Sequence, residues 1–202
     1  MEFSSIQRDA LREISSIGAG NAATALAQFI ARKIEMATPE ILEVSAQQPG
    51  RLLNQPARNL MLVMLGIEGP VSGHIMLISE YTNAQFLVDC LMGREAQAAG
   101  AELSEIDISS VKEVASVMSG SFLRVISETL NTVLRMTPPD LISGSPEDIT
   151  ELISKHCLWE PEPTLCLRSG LWIVSGHMRV SFNLLFIPMA SSLKPLLSFL
   201  GM

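Results

Sequence analysis

Positive charge is in short supply in this 202-residue chain. Fourteen Lys and Arg stand against 21 Asp and Glu, for a net charge of −7. No basic stripe is available to follow a phosphate backbone, which excludes nucleic acid as a partner, and anionic membranes repel such a chain. Cysteine is equally sparse. Cys90, Cys157 and Cys166 are widely spaced, no CxxC pair occurs, and only three His accompany them. Neither a metal site nor a disulfide framework can be assembled from that set, so the thiols are expected to be reduced, in a cytoplasmic setting. Long uninterrupted apolar runs are missing too. SFNLLFIPMASSLKPLLSFLGM is broken by Pro188 and Lys194 and reads as a strand and a helix, not as a membrane span. Glu2, Arg8, Asp9, Arg12 and Glu13 interrupt the N-terminal stretch, which is therefore no signal peptide.

What remains is 48% hydrophobic and only 17% charged, which excludes disorder and demands a large core. A central sheet covered by helices would account for the high apolar content.

The chain repeats itself. Residues 11–40 laid over 111–140 without a gap match Glu13 with Glu113, Ser16 with Ser116, Gly20 with Gly120, Met36 with Met136 and Pro39 with Pro139. Apolar positions agree as well, among them Leu11 with Val111, Ile14 with Val114 and Leu26 with Ile126. Ser72-Gly73-His74 recurs as Ser175-Gly176-His177. The chain is thus read as one domain, 1–202, made of two repeats of about 1–100 and 101–202.

Each half follows one plan. Helical periodicity covers 5–32 and 104–134, and Ser104 with Asp107 resembles a capping box. A short extended segment follows, ILEV in the first half and LIS in the second, each after a Pro. Two hairpins come next, NLMLVMLGI with SGHIMLIS and TLCLRSGLWIV with HMRVSFNLLFI, and a helix ends each half. Ser145-Pro146-Glu147-Asp148 opens an extra helix over 146–155. The expected fold is mixed α/β (α+β-like), with pseudo-twofold duplication and one shared sheet flanked by long helices, because separate three-strand sheets would leave long open edges.

Several motifs mislead. Gly18-Ala19-Gly20-Asn21-Ala22-Ala23 matches GxGxxA, but the residues before it carry helical periodicity, whereas a dinucleotide fingerprint must follow a strand. Close packing of the small-residue face explains Gly18 and Gly20 instead, each glycine costing about 1 kcal/mol relative to Ala in a helix interior. Spacing offers Ser72 and His74 no third orienting group, so they form no catalytic pair and turn chemistry accounts for them. His156-Cys157 lacks the electropositive setting a thiolate needs.

Asp9, Glu13 and Ser16 are spaced i, i+4, i+7 and share one helix face; Ser109, Glu113 and Ser116 repeat the arrangement. With Pro39 and Pro139 downstream, the chain resembles the CheC/CheX/FliY family of chemotaxis phosphatases, whose signature is Asp/Ser-x3-Glu-x2-Asn-x22-Pro. LREISSIGAGNAATALAQFIARKIEMATPEI is similar to the first motif region, and the second motif at 109–139 matches CheC better than CheX. The resemblance implies a CheC-like fold, a cytoplasmic location, no cofactor, and dephosphorylation of a CheY-like phosphorylated receiver, with the deamidase CheD as a further partner. It places Glu13 and Glu113 on the acid that pairs with a receiver Lys, Asp9 and Ser109 on the first motif position, and Ser16 and Ser116 where the family has its catalytic Asn. It gives Pro39, Pro139, Gly18, Gly20 and Gly120 structural roles.

That Asn is thought to align a water against the aspartyl phosphate. Ser sets its hydroxyl nearer the backbone, and a shift of about 1 Å costs on the order of 10²-fold in rate. Three readings follow: a phosphatase in which Ser or Asn21 substitutes, a docking module with weak or lost catalysis, or a part of a flagellar switch as FliY is. The last ranks lowest, since neither an extra switch domain nor an N-terminal binding peptide is evident.

Overall fold

The computed structural model describes residues 4–45, 48–53, 58–94, 101–157, 160, 163–175 and 178–199. Helix α1 (Ser5–Ile30) starts at Ser4, whose hydroxyl accepts from the Gln7 N–H while the Gln7 side chain accepts from the Ser4 N–H. It ends at Ala31 in the left-handed conformation. Helix α3 (Glu105–Thr129) opens with the expected reciprocal cap between Ser104 and Asp107. Both helices stop short of the expected ends and give way to strands that the sequence pattern did not reveal, β1 (Lys33–Met36) and β5 (Arg135–Met136). The remaining strands are β2 (Glu40–Val44), β3 (Leu60–Glu68), β4 (Gly73–Glu80), β6 (Asp140–Gly144), β7 (Thr164–Ser175) and β8 (Met178–Pro188). Helices α2 (Tyr81–Met92) and α5 (Ala190–Phe199) follow the two hairpins, and α4 (Pro146–Cys157) is the extra helix.

All pairings are antiparallel and join one eight-stranded sheet in the order β1-β7-β8-β4-β3-β5, with β2 also on β7 and β6 also on β3. The hairpins β3–β4 and β7–β8 pair internally as expected and meet at β4–β8, from Gly73 opposite Pro188 to Ile78 opposite Asn183. The outer ribbons cross over. β1 and β2 cover the edge of the second hairpin, and β5 and β6 cover the edge of the first. Each half therefore closes the other's open edge.

Alternating strand residues enter two cores. Met61, Val63, Leu65, Ile75, Phe182 and Phe186 face the layer that holds α1, α3, α2 and α5. Leu60, Leu62, Met76, Cys166, Leu185 and Ile187 face Ile149, Ile153 and Cys157 of α4. Burial on both faces is the source of the apolar composition, and α4 seals the second face.

α1 and α3 lie side by side on the sheet. At Gly18 a Cβ would sit 2.8 Å from the Phe122 ring, and that ring stacks at a tilt on Phe186, with centroids 5.7 Å apart. Gly18 fits the expected close packing. Gly20 does not, because a Cβ there would meet nothing within 4 Å. Eleven residues after Asp9, Gly20 falls on the outward face, so its lack of a side chain serves no helix contact.

Candidate functional site: two outward helix faces

The buried side of α1 is Leu11, Ile14, Ser15, Gly18, Ala19, Ala22, Ala23, Leu26 and Ile30; that of α3 includes Asp107, Val111, Val114, Ala115, Met118, Ser119 and Phe122. The intervening positions point to solvent. Asp9 and Glu13 are exposed and Ser16 is half-buried; Ser109 and Glu113 are exposed and Ser116 is half-buried. The helices thus bring each trio together on one face.

The two faces differ in chemistry. Asp9 accepts from Arg12 Nη1 at 3.0 Å, whereas neither Glu13 nor Glu113 joins an ion pair among the described residues. On α3 the hydroxyls turn back into the helix: Ser109 Oγ donates to the Glu105 carbonyl and Ser116 Oγ to the Lys112 carbonyl, each at 2.8 Å. Their protons are committed, and only lone pairs remain for a visitor. Asn21 lies eight residues beyond Glu13, about 12 Å along the axis, against about 4.5 Å for Ser16, so it does not take up the motif's Asn position.

Pro39 and Pro139 are not on these faces. Pro39 is buried and Pro139 half-buried, in the breaks between β1 and β2 and between β5 and β6. Just upstream, the Ala37 N–H donates to the Gly170 carbonyl and the Thr137 N–H to that of Gly66, fastening both ribbons to the opposite hairpin. Gly120 is half-buried, and Met136 of β5 reaches to 3.4 Å from where its Cβ would be.

The composition did not point to a groove beside the second trio. It holds about 640 Å³ and is lined by Phe29 of α1, Leu91 and Met92 of α2, and Glu105, Ile106, Ser109, Ser110, Glu113 and Val114 of α3. Ile106, an apolar residue on an otherwise polar helix face, was the one visible signal; Phe29, Leu91 and Met92 belong to other elements.

The competing motifs stay inert. The Ser72 N–H donates to Ser192 Oγ at 2.9 Å and its hydroxyl lies 3.1 Å from the same atom, so it fastens the turn to α5. His74 lies within β4, and burial pushes its pKa down. Gly176 and His177 lie outside the described residues. Burial drives the thiols of Cys157 and Cys166 up to about 12, while Cys90 is half-buried. Among the described residues no cluster of three His, Cys, Asp or Glu could hold a metal ion, and no helix is long and apolar enough to cross a membrane.

The CheC-like family model matches residues 6–43, the stretch that carries the first trio and Pro39. The flagellar motor switch phosphatase FliY of Bacillus subtilis is 26% identical over 154 residues, 75% of this chain and 40% of that protein. The CheY-P phosphatase CheC of the same organism is 25% identical over 138 residues, 67% of this chain and 65% of that one. These matches make the chain a homologue of the FliY and CheC phosphatases, with a CheC-like family match over residues 6–43. Among solved structures, FliY of Thermotoga maritima shares the fold across 98% of both chains, with a TM-score of 0.76 at 20% identity. The CheX-CheY-BeF3-Mg complex of Borrelia burgdorferi matches over 86% of this chain and 96% of its own, with a TM-score of 0.58 at 18% identity. The chain spans less than two thirds of the curated FliY and CheC it matches.

Proposed function

We propose that this CheC-like protein docks a CheY-like phosphorylated receiver through the outward faces of α1 and α3, with weak or lost phosphatase activity. The observation that carries this reading is the pair of exposed carboxylates, Glu13 and Glu113, at equivalent positions and free of ion pairs among the described residues. An exposed carboxylate on a rigid helix is suited to grip a lysine. The hydroxyl neighbours are not suited to replace a carboxamide. Ser116 is shorter, and its proton is engaged by the Lys112 carbonyl, so it offers no donor to orient a water, and positioning is most of phosphoryl-transfer catalysis. The relatives named CheY-P phosphatase and CheX-CheY complex support a receiver as the partner class. The same Ser substitutions favour a second reading, an adaptor that acts by occupancy on a receiver or a CheD-like deamidase.

The test is decay of a phosphorylated receiver, together with its binding in the beryllofluoride-activated form. The wild-type chain is expected to bind the receiver and to accelerate decay little. Glu13→Ala with Glu113→Ala should abolish binding, and Ser16→Asn with Ser116→Asn should raise the decay rate by about 10²-fold. Fast wild-type decay would sink the claim of weakened catalysis. Absence of receiver binding would remove the reading altogether, and binding of a CheD-like protein alone would leave only the adaptor.

A further inference from the structure

The groove beside Glu113 has a chemistry that the acid alone does not explain. Of its five apolar lining residues, Phe29, Met92 and Ile106 stand 46%, 38% and 67% exposed around one concavity of about 640 Å³. Contiguous exposed apolar surface in a concave setting marks a contact for another molecule. Charge narrows the occupant. Glu105 and Glu113 rim the groove, Asp107 is taken up by Arg94 at 2.8 Å, and Lys112 is the only cation between residues 105 and 120. The matching stretch of α1 carries Arg8 and Arg12 against Asp9 and Glu13, with Asp9 already holding Arg12. Thr129 stands where the groove has Phe29, and Ala10 where it has Ser110. Ile6 of α1 is as exposed as its counterpart Ile106, so the walls Phe29, Leu91 and Met92 set α3 apart; the fitting partner presents a cation next to an apolar side chain long enough to reach them.

We infer that this groove is the apolar subsite for the receiver: the receiver's lysine meets Glu113 while a neighbouring apolar side chain enters the groove against Ile106 and Met92. The inference rests on the receiver-docking reading above and deepens it, because it makes α3 the tighter of the two faces and adds residues outside the family motif. Both added side chains are well exposed, so they can be changed without opening the core.

Isothermal titration of the 202-residue chain with a beryllofluoride-activated receiver tests this, with thermal melts to confirm that every variant is folded. Ile106→Ser and Met92→Ser should each weaken affinity by about tenfold. Val133→Ser, at a residue 72% exposed that lines a different concavity, should bind as the wild type does. Wild-type affinity in both groove variants would overturn the subsite while leaving receiver docking intact. Equal losses in Val133→Ser would overturn it as well, by showing a nonspecific effect. A wild-type chain that binds no receiver would overturn both the subsite and the docking reading.

Discussion

Gly18 and Gly20 stand two residues apart on α1 and meet opposite surroundings. A Cβ on Gly18 would press on the buried Phe122 ring, while one on Gly20 would meet open space. Adding a side chain should therefore have opposite signs at the two positions. Gly20→Ala removes backbone freedom from the unfolded chain without a clash, and is expected to raise stability by up to about 1 kcal/mol. Gly18→Val forces Phe122 out of its seat between the helix and Phe186, and is expected to lower stability by about 1–3 kcal/mol. Urea denaturation of the two variants checks both signs. A gain at Gly18 would show that the two long helices sit further apart than described. The sequence showed the run of small residues but not which of them faced inward, because two glycines at i and i+2 diverge by more than half a turn.

At the scale of elements, the start of α3 depends on a latch from α2. Gly93 ends α2 in the left-handed conformation and turns the chain so that Arg94 Nε reaches Asp89 at 2.9 Å and its Nη2 reaches Asp107 at 2.8 Å. Both carboxylates are buried, and Asp107 also caps α3. Burial works to raise the Asp107 pKa, but hydrogen bonds from the Ser104 backbone and hydroxyl and the Arg94 guanidinium outweigh it and hold it below the usual carboxylate range. A carboxylate depressed in the folded state stabilises fully above its unfolded pKa, near 4, and that stabilisation is lost as pH falls through the lower folded value. Arg94→Met strips the guanidinium from two buried carboxylates and should lower stability at pH 7. The gap to wild type should narrow as the pH falls and Asp107 takes up its proton. Urea midpoints measured from pH 7 to pH 2 test this, and a gap constant with pH would detach the latch from Asp107. Hairpins and long helices were legible because their apolar periods of 2 and 3.6 run for many residues. The two-residue β5 and the four-residue β1 carry no such period; their partners lie far along the chain, and only register against β3 and β7 defines them. The groove escaped the sequence for the same reason, since its walls come from three separate helix ends.

For the whole molecule, the crossed ribbons decide how the halves depend on one another. Among the described residues, the outer edge of the first hairpin is covered by β5 and β6 from the second half, and that of the second by β1 and β2 from the first. Between them β4 and β8 form the central seam. Residues 1–100 alone would leave β3 and β4 with open apolar edges, while β1 and β2 would have lost their template. The proposal that 1–100 and 101–202 are two repeats of one domain then carries a thermodynamic consequence. Stability cannot reside in either repeat, and unfolding must be all-or-none across the chain. Tyr81 lies in the first half and Trp172 in the second, so the halves can be followed separately. Tyr and Trp fluorescence and far-UV circular dichroism should give one urea midpoint. Residues 1–100 and 101–202 made separately should show no cooperative transition, and mixing them during refolding should restore it. Two distinct midpoints, or a cooperatively melting fragment, would mean that the ribbons decorate two independent sheets and do not bind one together.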